Sequence, residues 1–244
     1  MLYQWQEKAL ETIAGKDAIL SAPTGSGKTW VAYIWAGLMS RDGTPQMPEG
    51  RVIFTAPIKA LSNERYLELK SMGFDVGLET GDFKKNAGAE VLCCTQEIYT
   101  LKYAHIPGQK VIIDEFHFIF NDPERARAYI DGLRRTSDES GILVMSATFG
   151  NPDKVRGYLE EMARRDFALF ETEKRVTKLV YKQRGLRFAQ IRIRSGEGGE
   201  LGEHVHQHFV GRALVRHNAH AAQLQRRNLA DHVHRILEHF VAQG

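Results

Sequence analysis

Five short apolar runs constrain this chain more than any other feature: "AILSA" (18–22), "RVIFTA" (51–56), "EVLCCT" (90–95), "KVIIDE" (110–115) and "GILVMSAT" (141–148). Each is rich in Val and Ile and almost free of polar interruption, the composition of a strand covered on both faces. Between them lie amphipathic stretches at 28–39, 58–72, 96–102, 123–135 and 153–164. Strand and helix alternating at this pitch predict an α/β fold, a mostly parallel, doubly wound sheet with helices on both faces. A helix precedes the first strand and is closed at Gly15, and the Gly- and Pro-rich segment 41–50 is a surface loop.

The first run continues into "APTGSGKT" (22–29), strand then glycine turn then Lys-Thr then helix, which is the phosphate-loop pattern with Ala22 in place of its first glycine. Residue types follow from the chemistry. Gly25 and Gly27 let the backbone curl so that successive N–H groups point at phosphate oxygens, with Thr24 and Ser26 between and beside them. The helix that starts at Lys28 adds its positive dipole end, Lys28 reaches the terminal phosphates, and the Thr29 hydroxyl ligates Mg²⁺. The expected ligand is ATP with Mg²⁺. A chance glycine turn is the competing explanation, and the strand before and helix after count against it. A partner acidic site should end another buried strand, and "KVIIDEFHFIF" supplies it: Asp114 to hold Mg²⁺ through water and Glu115 to polarise the attacking water. Carboxylates placed there cost desolvation unless a cation compensates them.

"DEFH" following "APTGSGKT" resembles the DExH-box helicases of superfamily 2, and further stretches agree in order. "APIKALSNERY" (56–66) looks like their first nucleic-acid-contacting segment in its Ski-like form. "ETGD" (79–82) and "CTQEIYTL" (94–101) resemble the next two. "SAT" (146–148) is similar to the linkage motif, continued by "FGNPDKVRGYLEEM", and "YQWQEKAL" (3–10) resembles the upstream glutamine motif. The likeness runs from Tyr3 to about Lys182. It implies a three-layer RecA-like phosphate-loop domain, with Gln6 reading the adenine edge and His117 joining the catalytic group. It further implies that Thr55, Pro57, Lys59, Ala60, Thr80, Gly81, Asp82, Thr95 and Gln96 meet the backbone of a single-stranded RNA or DNA. Ser146, Ala147 and Thr148 would couple the two sites. Read singly, without the resemblance, Thr80, Asp82 and Thr95 are better explained as helix caps and turns.

In such helicases ATP lies between two RecA-like domains, the second of which supplies arginines under a QxxGRxGR-like run. No such run is present in these residues. The expected organisation is therefore 1–168 as the first RecA-like domain, 169–210 as a β-hairpin (two strands about Gly185 in 177–194) and linker, and 211–244 as a strand–helix segment resembling the start of a second domain. The second RecA-like domain would come from the full-length protein or a partner chain, leaving this chain a weak ATP hydrolase. Two alternatives stay open: a nucleotide-gated binding or assembly module without unwinding activity, and a translocase subunit of a CRISPR or restriction complex.

Charge and composition narrow the setting. The net charge of +3 is unevenly spread, with the residues after 150 basic and those before acidic, which suits a phosphate-bearing partner or a solvated surface. Arg187, Arg192 and Arg194 alternate in the expected hairpin and are candidates for that partner. The two adjacent cysteines, Cys93 and Cys94, read as buried strand thiols of a reducing, cytoplasmic compartment. No apolar run reaches the roughly 20 residues of a membrane span, so no membrane partner is expected. Trp5, Trp30 and Trp35 are expected to pack in helices. His204, His206 and His208, with His232, His234 and His239, are better explained as a solvated surface than as a zinc site.

Overall fold

The computed structural model describes residues 2–120, 123–147, 149, 151–173, 178–184 and 188–194. Eight strands form one sheet: β1 (Ala18–Ser21), β2 (Arg51–Ala56), β3 (Val76–Glu79), β4 (Lys84–Lys85), β5 (Val91–Thr95), β6 (Gln109–Ile113), β7 (Gly141–Ser146) and β8 (Ala168–Glu171). Their order is β4-β3-β5-β2-β6-β7-β1-β8. Every pairing is parallel except the short β3–β4 edge. All five apolar runs became strands, and each is buried along nearly its whole length because both sheet faces are covered.

Side-chain alternation along these strands builds two cores. On one face Leu20, Phe54, Leu143 and Met145 pack with α1 (Gln4–Ile13), α2 (Lys28–Trp35) and α3 (Lys59–Ser71). On the other, Ile19, Ile53, Ile113 and Val144 meet α5 (Pro123–Arg135), α6 (Pro152–Ala163), and α4 (Gln96–Ile98) with the π-helical turn that continues it, Tyr99–Tyr103. The result is the three-layer, RecA-like arrangement. Trp5 stacks on Phe170, Trp30 meets Tyr33 edge-on, and Trp35 lies under the Lys110 ammonium, so all three pack within the protein.

The sheet extends beyond the expected boundary at 168, since β8 pairs with β1 over Ala168–Glu171. Arg165 ties that approach down. Its guanidinium donates to the carbonyls of Ser140 (2.7 Å), Thr136 (3.2 Å) and Ser137 and pairs with Asp17 at 3.1 Å. The expected hairpin is present as β9 (Lys178–Arg184) and β10 (Phe188–Arg194), antiparallel with Tyr181 opposite Ile191. Its turn at Gly185, the linker, the 211–244 segment, the histidines of the C-terminal region and Thr148 lie outside the described residues. Among the described residues no helix is long and apolar enough to cross a membrane.

Candidate functional site

The carboxyl ends of the parallel strands gather the chemistry, as an open α/β sheet requires. From β1 the chain enters the loop 22–27, whose Ala22 N–H donates to the Ser146 carbonyl at the end of neighbouring β7 (3.1 Å). Gly25 (φ 74°) and Gly27 (φ 89°) take left-handed backbone, and Gly27 is the residue from which α2 starts. Only glycine fits there. A Cβ on Gly27 would meet the Gln6 amide nitrogen at 2.9 Å, and that same nitrogen donates to the Gly27 carbonyl at 3.0 Å. The other end of the Gln6 amide accepts from Tyr3 N (2.9 Å), so the glutamine ties the first turn of α1 to the loop. Lys28 is 7% exposed, at the N-terminus of α2.

Two strands away, Asp114 directly follows β6, and its N–H donates to the Thr55 carbonyl (3.0 Å). Asp114 Oδ1 accepts from the Glu115 N–H at 2.9 Å. Glu115 itself has φ 51°, a left-handed conformation that costs a non-glycine residue about 1–3 kcal/mol and that clusters at functional positions. His117 Nδ1 lies 3.2 Å from Glu115 Oε2, but neither atom completes a hydrogen bond. Burial, opposed by Glu115 and reinforced by Lys28, holds the His117 imidazole below its ordinary value, so it is neutral near pH 7.

Thr29, Asp114 and Glu115 line one cavity of about 330 Å³ together with Thr55 and Arg65. Arg65 is the member that sequence reasoning missed. It projects from α3 and pairs with Asp114 Oδ2 at 3.2 Å, while its other nitrogen donates to the Tyr33 hydroxyl (3.0 Å) and to Glu68 (2.5 Å). Burial penalises that charge, but Tyr33, Asp114 and Glu68 outweigh it and hold the guanidinium above its ordinary pKa. The available signal was weak: an Arg–Glu pair three residues apart on α3, which also fits a solvated helix face.

The residues fit a triphosphate and a divalent cation on structural grounds. The glycine loop forms a cradle that a Cβ would fill, the Ser26 hydroxyl beside it is buried without a partner, and Glu115 Oε2 and His117 Nδ1 are buried and unpartnered near the acidic pair. The helix N-terminus at Gly27 and Lys28 supplies the positive field a phosphate needs.

The segments expected to meet nucleic acid divide by burial. Lys59, Ala60, Gly81 and Asp82 are exposed, and Lys59 Nζ bridges to Asp82 Oδ1 at 2.7 Å, joining the first segment to the second. Thr55 (1%), Thr80 (7%), Thr95 (6%) and Gln96 (0%) are not, and Pro57 is buried with them. Thr55 Oγ1 donates to Gln96 Oε1, and Thr80 Oγ1 donates to Asp82 Oδ1 (3.1 Å), so these hydroxyls are engaged inside the protein. Ser146 is fully buried with an unpartnered hydroxyl, and Ala147 is half-buried.

A glycine cradle after β1, an acidic pair after β6 and parallel strands between them define a RecA-like phosphate-loop protein. Comparison with known proteins narrows the class: the DEAD/DEAH box helicase model matches residues 3–155, and the chain belongs to that family. Its relatives are Ski2-like and Mtr4-like DExH helicases. It is 29% identical over 237 residues to a probable helicase HelY of Mycobacterium tuberculosis, covering 92% of this chain and 24% of that protein. It is 33% identical over 183 residues to the ATP-dependent RNA helicase mtr4 of Schizosaccharomyces pombe, covering 72% of this chain and 16% of that one. The chain thus spans a quarter or less of these curated relatives. Among solved structures, the DUF1998 helicase MrfA bound to DNA and AMPPNP superposes with a TM-score of 0.54 at 20% identity, over 72% of this chain and 28% of that one, a likeness of fold.

Proposed function

We propose that this chain is the ATP-binding first motor domain of an ATP-dependent nucleic-acid helicase, working in a cytoplasmic, reducing compartment. The observation that carries this reading is the meeting of Thr29 with Asp114 and Glu115 around one cavity, Glu115 being held in a strained backbone. Thr24, Gly25, Ser26 and Gly27 would hold the phosphates through N–H groups and the free Ser26 hydroxyl, with Lys28 at the terminal ones. Thr29 and Asp114 would hold Mg²⁺, which when bound supplies charge neutralisation at the transferring phosphoryl group. Glu115 would orient and deprotonate the attacking water, with neutral His117 beside it. Gln6, whose amide keeps a second N–H and a second lone pair beyond its two protein bonds, would read the adenine edge.

The nucleic-acid surface would run over the same sheet edge. Lys59 and Asp82 mark its exposed part, with Ala60 and Gly81 presenting backbone, and contacts of that kind are indifferent to base sequence. The buried Thr55, Pro57, Thr80, Thr95 and Gln96 would act by shaping those loops. Ser146, Ala147 and Thr148 would couple the two sites, since Ser146 already accepts from Ala22 in the phosphate loop. The arginines that complete catalysis would belong to a second RecA-like domain, in keeping with relatives several times longer than this chain.

ATP turnover of the 244-residue chain, measured with and without single-stranded RNA or DNA, tests the proposal. Wild type should bind ATP–Mg²⁺, turn it over slowly and leave duplexes intact, and Glu115→Gln should bind but not turn over. Robust unwinding by this chain, or turnover surviving in Glu115→Gln, would overturn it.

A further inference from the structure

We propose that Arg65 is a resident counter-cation of the metal side of this site: it neutralises Asp114 before a divalent ion arrives and sets how much Mg²⁺ is needed to displace it. The inference rests on the reading of Asp114 and Thr29 given above.

The Arg65 side chain is 18% exposed and the Asp114 side chain 15%, so their 3.2 Å contact is a partly desolvated charge pair rather than a surface one. Asp114 has each oxygen engaged, Oδ1 by the Glu115 N–H and Oδ2 by Arg65. An incoming ion must therefore compete with a full positive charge for this carboxylate. The guanidinium is also held so that it remains in the cavity once displaced. Its carbon lies 5.7 Å from the Phe54 ring centre and 5.8 Å from that of Tyr33, and its second nitrogen is committed to Tyr33 and Glu68. Glu68, 37% exposed, is a second carboxylate on which Arg65 stays paired when Asp114 turns to the ion. The arginine fork reaches Asp114 through one nitrogen and Tyr33 and Glu68 through the other, whereas a lysine would carry the same charge with fewer of these bonds. Arg65 is also six residues along α3 from Lys59, the exposed residue of the first nucleic-acid segment, so one rigid helix carries both.

A pin that merely fastens α3 to β6 and a cation that competes with Mg²⁺ differ in the sign of their effect on metal affinity. Binding of a fluorescent, nonhydrolysable ATP analogue is followed in EDTA and then as MgCl₂ is titrated, alongside the melting temperature of the ligand-free chain. In Arg65→Met the affinity in EDTA should fall, because the uncompensated Asp114 repels the metal-free triphosphate, while the Mg²⁺ midpoint falls on the order of tenfold or more, the scale of removing one charge from a partly screened site. Arg65→Lys keeps the charge and should keep a midpoint within about threefold of wild type despite a lower melting temperature. Glu68→Gln, at a position exposed enough to fold, should raise the midpoint, and should raise it less in an Arg65→Met background. An unchanged or higher midpoint in Arg65→Met overturns the inference. If that variant does not fold, an unchanged midpoint in Glu68→Gln does so. Wild-type chain that binds no analogue under either condition overturns the reading of the nucleotide site itself, and this inference with it.

Discussion

Thr55 Oγ1 donates to Gln96 Oε1 at 2.6 Å inside the protein, joining the ends of β2 and β5. The amide of Gln96 then donates to Thr100 Oγ1 (3.4 Å), which donates to the Ala128 carbonyl on α5 (2.7 Å). A fully buried amide in such a chain is worth far more satisfied than orphaned. Gln96→Leu should destabilise the fold by about 1–3 kcal/mol in urea unfolding, because it leaves the Thr55 hydroxyl unpaired. A Cβ on Gly132 of α5 would come within 2.6 Å of both Gln96 Nε2 and Thr100 Oγ1. Gly132→Ala should therefore be destabilising too, although alanine is the better helix former. A neutral result for both would show that the network is not what holds the two segments.

Gly27→Ala should separate nucleotide binding from folding. Alanine at φ 89° is strained, and its Cβ would displace the Gln6 amide from its bond to the Gly27 carbonyl. The expected loss is about 1–2 kcal/mol of stability, with ATP-analogue affinity falling by tenfold or more because the proposed phosphate loop is distorted. Gly157→Ala is the control: it is exposed within α6 with nothing within 4 Å of the added Cβ, and should stabilise by roughly 0.5–1 kcal/mol without touching affinity. Equal affinity in both variants would remove Gly27 from the site.

These cases show which parts of the protein could be read in advance. β1, β2 and β5 to β7 announce themselves because strands buried on both faces must be continuously apolar. β3 and β8 do not: β3 carries Gly77, which the structure needs because the Asn86 backbone closes over it, and β8 is a short edge strand ending in Glu171. A glycine turn leaving β1 and an acidic pair following β6 were legible because left-handed backbone favours glycine and a buried strand before Asp114 must be apolar. Arg65 was not, since its partners Tyr33 and Asp114 lie 32 and 49 residues away in sequence. The burial of Thr55 and Gln96 was hidden for the same reason: they are each other's partners across 41 residues of sequence.

Cys93 and Cys94 should be inert in the native protein. Successive strand residues face opposite ways, and here they enter different cores, so the two thiols cannot pair. Burial pushes the Cys93 thiol up to about 12, and burial together with Cys93 and Glu79 pushes Cys94 well above its ordinary value. At pH 8 such a thiol is about one part in ten thousand thiolate, against roughly a quarter for a free one. A chromogenic thiol reagent should find no reactive cysteine in the folded chain and both in denaturant. Fast reaction of either in the native state would mean that β5 opens locally.

The carboxylate of Glu79, at the end of β3, should contribute stability at neutral pH that is lost in acid. It is 1% exposed, and Lys102 and the Tyr103 hydroxyl donate to its two oxygens. Burial alone would raise its pKa, but those two donors outweigh burial and hold it below 4.5. The folded state therefore binds a proton less readily than the unfolded chain. Its contribution is complete above the unfolded value near 4.5 and is lost as pH falls through the lower folded value. Glu79→Gln keeps the shape but removes the charge, and at neutral pH should cost about 1–2 kcal/mol, held to that size by Lys102 being 45% exposed. Urea unfolding of the two proteins from pH 7 down to about pH 3.5 should show a constant gap until about pH 4.5 and a narrowing one below it. A gap that stays constant to the lowest pH would place the benefit of Glu79 in its packing rather than its charge.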